Sequence, residues 1–445
     1  MINIDSIKNI EGLRFEHLKG NEKISGGKID SRVIERGDLY FCLKGRFSDG
    51  HEFIKSALDK GAVAAVVDKN YENKSSYPVI YAENVELAMG DIARAYRENL
   101  KAKLIVITGS NGKTTTKEMI YSALSLKYKV TKTEGNLNNF QGLPLSIFSI
   151  KDDDDYAVLE IGSNNFGEIK YLTDIAKPDY GLITNIGDAH LQNFGDRKGV
   201  LREKIELLNG VKHFGGTFFL NCDDPFLKDF KESYFSIVTY GCGDYDYSFK
   251  PIGSEISLSV KLELSNGETF DLGSIGRTSI YNGRAAYSVL SFLGLSNDFI
   301  KIGLKKFTHE GFRQNLKKVN SINIVLDCYN ANPTSMKESI NNLSSTKKKS
   351  LILGDMLELG SREDLYHKDL AKIINPKDYT YIVLIGKRME SLFKSLKGDN
   401  VEWFSSVDLS KDYLRSLNFK GETLLIKGSR SIGLETIYND IFKGE

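Results

Sequence analysis

The chain has 445 residues, with 60 Lys and Arg against 59 Asp and Glu, so its formal net charge is +1. That balance provides no overall electrostatic attraction for nucleic acid or for an anionic membrane, and we expect neither as a partner. A hydrophobic content of 41% and a charged content of 27% are typical of a folded chain and exclude a disordered one.

Apolar runs such as 62–67 and 104–107 are far shorter than the about 20 residues that a membrane-spanning helix needs, so no membrane insertion is expected. The first nine residues contain no apolar segment of the kind that a secretory signal carries. The cysteines are scattered and no pair has the C-x-x-C spacing of a metal or redox motif. We therefore expect reduced thiols and a cytoplasmic location.

The first 80 or so residues mix short strand-like pieces at 38–42, 63–67 and 79–81 with one helical stretch at 53–60. A helical segment follows at 85–99, where apolar residues recur at helical spacing. We therefore predict a small α/β domain at 1–83.

From residue 104 onward, strand-like segments alternate with helical ones. The strand-like and helical segments pair as 104–108 with 114–126, 157–161 with 168–175, and 181–185 with 199–208. Such alternation predicts a parallel, doubly wound sheet. Between residues 245 and 272 the apolar period changes to two, through Ile256, Leu258, Val260, Leu262 and Leu264, and residues 265–268 read as a hairpin turn. We expect a small antiparallel addition to the sheet, within a central domain at 84–309.

Another boundary lies near residues 308–313. Beyond it come four strand candidates, each followed by a helical stretch, at 322–327, 350–353, 381–385 and 423–426. This pattern predicts a second α/β domain, Rossmann-like, at 310–445. The predicted fold class is therefore α/β in three domains, of which the central one is a P-loop ATPase-like doubly wound sheet.

A phosphate-binding loop follows the first central strand. Gly109 and Gly112 permit close approach of backbone N–H groups to a phosphate, and the helix that begins nearby adds aligned donors. Lys113 would reach the β- and γ-phosphates, and the Thr114 hydroxyl would ligate magnesium. The general P-loop pattern has four residues between its glycines and this loop has two, but the strand–loop–helix context is complete.

The string TGSNGKTTTKE at 108–118 resembles the ATP loop of the Mur ligases, which form amide bonds in peptidoglycan precursor synthesis. Folylpolyglutamate synthases share the architecture but usually carry a loop closer to GTNGKGS, so Thr116 favours the Mur branch. The resemblance implies that ATP is bound by the loop residues Gly109, Ser110, Asn111, Gly112, Lys113, Thr114 and Thr115.

Metal candidates follow the neighbouring strands. Glu160 ends a strand, where a carboxylate can face the crevice and hold Mg²⁺ or remain a surface side chain. The segment 184–195 resembles the family string TNIGxAHLxxFG, which implies that His190 helps to bind a second Mg²⁺. By itself Lys204 reads as a solvated lysine on a charged helix. The resemblance implies instead that Lys204 is carbamylated and supplies an oxygen ligand.

Two polar segments resemble the substrate-binding parts of the family. The residues 135–145 match GNLNNxxGxPL and imply Asn138 and Asn139 as contacts, where the plain alternative is a turn-rich loop. In the first domain, Ser31 and Arg32 are candidates for the UDP moiety, because hydroxyl and guanidinium donors suit diphosphate oxygens. The alternative is a surface turn without a ligand.

The string DCYNANPTS at 327–335 resembles DxYNANPxS of one branch of the family. That branch joins D-alanyl-D-alanine to UDP-N-acetylmuramoyl-tripeptide, whereas the branch that adds a diamino acid carries a DNPR-type string, which does not occur in this sequence. Asn330 and Asn332 are the implied substrate contacts. The strings at 353–360 (LGDMLELG, with His367 beyond) and 427–430 match the same branch.

The resemblance implies contacts with the nucleotide at three further positions. Asn282 matches the adenine-side asparagine, Arg313 the arginine that faces the phosphates, and Asp327 the ribose-binding aspartate. The family usually has His-Asn shortly before the asparagine, where this chain has Thr278 and Ser279, so part of the adenine contact stays open.

The resemblance thus implies a three-domain ligase, expected to be a monomer, that uses ATP and two Mg²⁺ ions through an acyl phosphate. Lys113, His190, Lys204 and Arg313 are the implied catalytic residues. Two alternatives remain at this point: a ligase with another acceptor, and a nucleotide-dependent switch that only hydrolyses ATP. Whether the third peptide residue is lysine or diaminopimelate is left open.

Overall fold

The computed structural model describes residues 1–46, 48–232, 236–252, 260–309 and 311–443. Within these ranges the chain forms three α/β units, each built around its own sheet. None of the helices in the described ranges has the length and apolar character needed to cross a membrane. The predicted fold class is confirmed.

The first unit contains a five-stranded sheet and two α-helices. Its elements are β1 Ile2–Asn3, β2 Arg14–Glu16, β3 Lys23–Ile24, β4 Gly26–Lys28, β5 Asp38–Phe41, α1 Ile54–Asp59, β6 Ala64–Asp68, β7 Val79–Ala82 and α2 Val85–Glu98. The sheet order is β2–β7–β6–β5–β4, with β2 antiparallel to β7 and the other pairs parallel. In β6, Ala64 and Val66 face one core and Ala65 and Val67 the other, so this strand is apolar throughout.

Helix α2 joins the first unit to the second. Asn84 caps it by accepting a hydrogen bond from the Leu87 amide at 3.0 Å. The buried residues Met89 and Ile92 belong to one core that also contains Leu39 of the first sheet and Leu104 of the second. The two units therefore share a continuous hydrophobic core.

The second unit contains a seven-stranded sheet. Its elements are β8 Lys103–Thr108, α3 Lys113–Leu124, β9 Val130–Lys132, α4 Gly142–Phe148, β10 Tyr156–Glu160, α5 Glu168–Ala176, β11 Tyr180–Ile183, α6 Leu191–Phe194, α7 Arg197–Lys204, α8 Glu206–His213, β12 Thr217–Asn221, β13 Ile237–Gly241, β14 Tyr247–Ser248, β15 Lys261–Glu263, β16 Thr269–Asp271, α9 Gly276–Phe292 and α10 Asn297–Lys306.

The seven-stranded sheet is parallel throughout, in the order β14–β13–β12–β11–β8–β10–β9. The chain leaves β8 for β9 and β10 on one side and then crosses to β11 on the other. The strand order therefore reverses at β8, and the crevice outside the carboxyl ends of the strands at such a point is where doubly wound sheets bind ligands.

One prediction about the second unit needs correction. The single helix expected at 199–208 is two helices, α7 and α8, which meet at Ile205, where the backbone keeps helical angles. The antiparallel pair β15–β16 forms a two-stranded sheet of its own, and one antiparallel bridge between Phe249 and Leu264 connects it to the edge of the seven-stranded sheet beside β14. Its apolar residues Leu262 and Phe270 pack in the core with α9 and α10. Ile256 and Leu258 lie outside the described residues.

The third unit contains a six-stranded sheet. Its elements are β17 Asn315–Val319, β18 Ile322–Asp327, α11 Pro333–Asn341, β19 Lys349–Gly354, α12 Glu363–Lys368, β20 Ile382–Ile385, α13 Glu390–Phe393, β21 Val401–Phe404, α14 Val407–Ser416, β22 Thr423–Lys427 and α15 Glu435–Ile437. The order is β17–β18–β22–β19–β20–β21, and only the pair β17–β18 is antiparallel.

All four strands predicted for this unit are present, and the two edge strands β17 and β21 were not predicted. The edge strand β17 carries the exposed Lys317 and Lys318, and an edge strand of this kind lacks a continuous apolar signal.

Candidate active site

A cavity of about 340 Å³ lies between the second and third units. Most of the phosphate loop lines one wall, together with side chains that follow β10 and β11. The facing residues come from α9 and the third unit: Thr278, Asn282, Arg313, Gln314, Asp327, Tyr329, Asn330, Ser335, Glu338 and Lys427. The cavity therefore opens at the point where the strand order reverses, beside the carboxyl end of β8.

The two loop glycines have little room for a side chain. Gly109 has φ +146°, and a Cβ placed on it would lie 1.9 Å from the Thr184 Oγ1 atom. Gly112 has φ +82°, and its Cβ would lie 2.2 Å from the Asn282 Oδ1 atom. The loop is thus packed between the segment after β11 and helix α9, and the absence of side chains at the two glycines permits this close packing.

Lys113 and Thr114 begin α3 directly behind the loop. The Lys113 Nζ atom donates to the Gly109 carbonyl at 2.9 Å, and the Thr114 hydroxyl donates to Glu160 Oε2 at 2.7 Å. Burial lowers the pKa of the Lys113 amine. Burial alone would raise the pKa of the Glu160 carboxyl, but the charges of Lys113 and Arg313 hold it below its ordinary value. The site therefore keeps a buried carboxylate beside the P-loop lysine.

Lys204 lies at the end of α7 and is buried, with 2% of its surface exposed. Burial, reinforced by the positive charge of Lys113, lowers the pKa of its amine to about 7, against the partial opposition of Glu203 and Glu160. The sequence reading of a solvated lysine is therefore wrong. A buried amine that is substantially neutral near pH 7 is a nucleophile rather than a surface cation.

His190 directly precedes α6, at its N-cap position, and has a left-handed backbone, φ +49°. Its Nδ1 atom lies 2.6 Å from Glu358 Oε2 of the third unit. A hydrogen bond from His190 lowers the pKa of the Glu358 carboxyl. The histidine lines the cavity, so this contact joins the second and third units at its rim.

The polar loop after β9 is held against the P-loop helix and Glu160. The Asn138 Nδ2 atom donates to Glu160 Oε1 at 2.8 Å, and Asn139 Oδ1 accepts from the Gly142 amide at 2.9 Å. At its start, Lys117 of α3 donates to the Thr133 carbonyl. Both predicted asparagines line the cavity.

The residues predicted near the adenine lie in two different environments. Asn282 and Thr278 lie one turn apart on α9 and both line the cavity, where the Thr278 hydroxyl donates to Glu338 Oε2 at 3.0 Å. Ser279 is fully buried, and its hydroxyl donates to the Ile275 carbonyl at 2.7 Å. Of the two residues that stand where the family usually has His-Asn, only Thr278 reaches the cavity.

Asp327 and Arg313 lie on the wall formed by the third unit. Asp327 Oδ2 accepts from Lys427 Nζ at 2.6 Å and from the Ser339 hydroxyl at 2.8 Å. The Arg313 guanidinium lies 3.5 Å from the centre of the Tyr329 ring, in the geometry of a cation–π contact. Both predicted nucleotide contacts therefore border the same cavity as the phosphate loop.

The two asparagines of the DCYNANPTS string have different places. Asn330 lines the cavity, and its carbonyl accepts from Lys427 Nζ at 3.2 Å. Asn332 caps α11, with its side chain accepting from the Ser335 amide at 2.8 Å, and its Nδ2 atom donates to Asn111 Oδ1 at 2.8 Å. Asn332 thus links the third unit directly to the phosphate loop.

Ser31 and Arg32 do not line this cavity. Ser31 is buried, and its carbonyl accepts from Lys60 Nζ at 3.0 Å. The Arg32 guanidinium is exposed and pairs with Asp30 at 2.7 Å, a hydrogen-bonded contact that lowers the pKa of the Asp30 carboxyl to about 2. A ligand that touches these residues and the cavity must span two units.

Glu338 and Glu358 also belong to the site but were not singled out from sequence. Glu358 lies inside the LGDMLELG string, so its motif was visible although its contact with His190 was not. Glu338 had no signal of its own, because only the helix after Pro333 places it beside Thr278.

The donor chemistry around Glu160 fits Mg²⁺. Magnesium is usually held by one or two carboxylates together with phosphate oxygens and waters. Glu160 and the Thr114 hydroxyl supply oxygens beside the phosphate loop. In the part of the chain that the structure describes, no group of three or more His, Cys, Asp or Glu side chains could hold a metal ion by itself. Phosphate oxygens and waters would complete the coordination of the ion.

Three family models match consecutive stretches of the chain. The model described as "Mur ligase family, catalytic domain" matches residues 23–104, the "Mur ligase middle domain" matches 107–290, and the "Mur ligase, glutamate ligase domain" matches 313–430. The three matches fall on the three structural units in turn.

The similarity to individual proteins also extends over nearly the whole chain. A UDP-N-acetylmuramoyl-tripeptide–D-alanyl-D-alanine ligase of Bacillus subtilis (strain 168) is 35% identical over 434 residues, which cover 94% of this chain and 93% of the relative. Crystal structure I of MurF from Acinetobacter baumannii is 30% identical, with a TM-score of 0.83 and coverage of 94% and 93%. MurF ligase from Thermotoga maritima in complex with ADP is 28% identical, with a TM-score of 0.82 and coverage of 95% and 97%.

Proposed function

This chain belongs to the Mur ligase family of ATP-dependent ligases, and we propose that it joins D-alanyl-D-alanine to UDP-N-acetylmuramoyl-tripeptide. The products are the UDP-linked pentapeptide precursor of peptidoglycan, ADP and phosphate. The observation that carries the proposal is the convergence of the phosphate loop, the Asn138–Asn139 loop and Asn330 on one cavity. The DCYNANPTS string and the whole-length relatives favour this acceptor over a folate or a diamino acid.

The reaction proceeds in two transfers. The terminal carboxylate of the tripeptide attacks the γ-phosphorus of ATP, the bond to the β,γ-bridging oxygen breaks, and an acyl phosphate and ADP form. The free amine of D-alanyl-D-alanine then attacks the acyl carbon, loses a proton and expels phosphate. Each step places a nucleophile in line with its leaving group, so positioning and charge stabilisation carry most of the catalysis.

Lys113 and Arg313 supply positive charge to the transferring phosphoryl group. Lys113 already points along the loop toward the Gly109 carbonyl, and Arg313 faces it across the cavity. Charges held in place before the reaction stabilise the transition state without reorganising at the moment of transfer. Asn282 and Thr278 hold the adenine side, and Asp327 the ribose.

Thr114, Glu160, His190 and Lys204 would hold Mg²⁺, two ions by resemblance to the family. Bound Mg²⁺ offsets the repulsion between the attacking carboxylate and the triphosphate. Lys204 contributes an oxygen ligand only after its neutral amine has added carbon dioxide and lost a proton to give a carbamate. The pKa of about 7 supports this step, because a protonated amine does not react.

The peptide substrate reaches the cavity from the first unit. Ser31 and Arg32 bind the UDP moiety, the sugar and peptide extend past Asn138 and Asn139, and Asn330 borders the place of the incoming dipeptide. Asn332 holds the phosphate loop in place through Asn111. We place the enzyme in the cytoplasm, as a monomer. The four cysteines are free, as expected of a reducing compartment.

The deciding experiment measures phosphate release by the purified protein with ATP, Mg²⁺ and UDP-N-acetylmuramoyl-tripeptide, with and without D-alanyl-D-alanine. Release that requires the dipeptide, with a UDP-pentapeptide found by mass spectrometry, is the expected result. Release that ignores both substrates would identify an ATP-hydrolysing switch instead. Parallel reactions with lysine-containing and diaminopimelate-containing tripeptides identify the third residue.

A further inference from the structure

Glu358 reaches from the third unit to a residue of the second. Its Oε2 atom lies 2.6 Å from His190 Nδ1, and its carbonyl accepts from the Gln192 amide at 3.2 Å. Glu358 lies in the segment 353–360, to which the proposed function otherwise assigns no role.

The backbone is constrained on both sides of this contact. His190 has φ +49° and Glu358 has φ +62°, and non-glycine residues rarely adopt this left-handed region. Such conformations persist where the surroundings enforce them, often at functional sites. Gly360, at φ +66°, allows the close approach, because a Cβ placed on it would lie 3.3 Å from Gln192 Cα.

A contribution to the stability of the fold does not explain the contact between Glu358 and His190. The Glu358 side chain is 58% exposed and that of His190 is 26% exposed. Ion pairs that are this accessible to water contribute little to folding. A contact that combines two unfavourable backbone conformations with a solvent-exposed carboxylate therefore requires another reason.

The chemistry of imidazole supplies one. A neutral histidine carries its proton on one ring nitrogen and a lone pair on the other. When Nδ1–H donates to a carboxylate, the lone pair resides on Nε2, which is then able to bind a metal ion. Metal-binding histidines commonly have such a carboxylate partner, which fixes both the tautomer and the ring orientation.

We propose that Glu358 is a positioning residue that holds His190 in the Nδ1–H tautomer and so presents Nε2 to Mg²⁺ at the phosphate end of the cavity. This inference rests on the proposed function, in which His190 is a ligand. Since Glu358 belongs to the third unit, the histidine is oriented only when that unit lies against the second.

The first test reads the tautomer directly, without metal or substrates. Protein with ¹⁵N-labelled histidine is examined by two-bond ¹H–¹⁵N NMR at alkaline pH, where histidine is neutral. The His190 signals are identified as those missing from His190→Gln. We expect the Nδ1–H pattern in the wild type and the Nε2–H pattern, which an unconstrained histidine side chain favours, in Glu358→Ala.

The second test measures Mn²⁺ binding by electron paramagnetic resonance, in the presence of a non-hydrolysable ATP analogue. Loss of an outer partner of a metal ligand typically weakens metal binding about 10- to 100-fold, and we expect a loss in this range for Glu358→Ala. Glu358→Gln keeps an acceptor oxygen and should recover part of the affinity. The control is Glu390→Ala, which removes a carboxylate of the same unit that pairs with Lys394.

An Nδ1–H tautomer retained in Glu358→Ala, or Mn²⁺ affinity equal to that of the control, would overturn the inference. Circular dichroism checks that each variant is folded. The pentapeptide assay on the wild type judges the proposed function separately, since the tautomer measurement depends on neither substrate.

Discussion

Burial sets the chemistry of single side chains around the cavity. Lys204 on an exposed helix face would be a permanent cation, but burial, reinforced by the charge of Lys113, lowers the pKa of its amine to about 7. Lys198, on the same helix, is exposed. Two lysines six residues apart on one helix therefore differ in reactivity because of their surroundings.

We predict that Lys204→Ala lowers ligase turnover about 100-fold or more, the scale of loss when one fixed charge leaves an active site. Short-chain carboxylates such as formate or acetate should restore part of the activity, because they can occupy the place of the carbamate. Steady-state phosphate release with and without the carboxylate is the measurement. The matched variant Lys198→Ala should retain full activity. A fully active Lys204→Ala enzyme would contradict the carbamate.

Lys427 presents the opposite case, a buried cation with a fixed partner. It is 1% exposed and donates to Asp327 at 2.6 Å. Lys427→Met leaves the Asp327 carboxylate without its counter-charge, so the free energy of unfolding should fall by about 3–5 kcal/mol.

Urea unfolding followed by the fluorescence of Trp403, the single tryptophan, reports this change, because Trp403 lies in β21 of the same unit. The control Lys394→Met removes an exposed pair with Glu390 and should change the free energy by about 0.5 kcal/mol or less. Equal changes in the free energy of unfolding would show that the buried ion pair stabilises the fold no more than the exposed one.

At the scale of elements, the strand–loop–helix unit depends on packing against α9. Gly112→Ala should weaken ATP binding about tenfold or more, because the added methyl group collides with Asn282 and displaces the loop backbone. Gly215→Ala is the control, since Gly215 also has a positive φ, +72°, but has no atom near its Cβ position. The measurement is the titration of each variant with a fluorescent ATP analogue. If Gly112→Ala and Gly215→Ala lost the same affinity, backbone strain and not the collision with Asn282 would be the cause.

The link between the segment 353–360 and α12 depends on a neutral histidine. His367 is fully buried, its Nε2 atom accepts from the Met356 amide at 2.9 Å, and burial lowers its pKa. As the pH falls, His367 in the unfolded chain takes up a proton near pH 6.5, whereas in the folded chain it does so only at lower pH. The free energy of unfolding should therefore decrease as the pH falls from 7.5 to 5.5.

His367→Gln should show a smaller decrease over the same range, because the variant has no proton to bind at this position. The measurement is the urea midpoint of Trp403 fluorescence at several pH values, and the difference between wild type and variant isolates this residue from the other histidines. Parallel curves for the two proteins would exclude His367 as a source of acid sensitivity.

The whole molecule brings its second and third units together through a small set of polar contacts. The Thr334 hydroxyl donates to Asp188 at 2.9 Å, and Arg277 N donates to Asn342 Oδ1 at 3.1 Å. These contacts, with Asn332 on Asn111, join the two units around the cavity. Closure of this kind excludes water, which would otherwise hydrolyse an acyl phosphate.

We expect the radius of gyration in solution to fall when an ATP analogue and both substrates are added. Thr334→Val removes one contact between the units, so about tenfold more ligand or more should be needed for the same compaction, as for one hydrogen bond to a carboxylate. Small-angle scattering titrations measure this, with Thr436→Val as the control, because Thr436 is exposed and bonds only within its own unit. Scattering curves unchanged by ligands would contradict closure.

Much of the architecture was predictable because it is written in short stretches of chain. The apolar runs of β8, β18 and β22 are buried on both faces and stand out without any tertiary information. The phosphate loop is equally local, since strand, glycines and helix start are consecutive residues. Edge strands such as β17 escaped prediction, because their polar residues face water and dilute the periodic signal.

The sequence by itself therefore determined the family, the three α/β units and the strings that line the cavity, because each depends on neighbouring residues. The tertiary structure alone decided that Lys204 is buried, that Ser279 turns inward while Thr278 reaches the cavity, and that Glu358 meets His190. Burial and contacts between distant segments arise only when sheets and helices pack together, and no local pattern encodes the distance between residues 190 and 358.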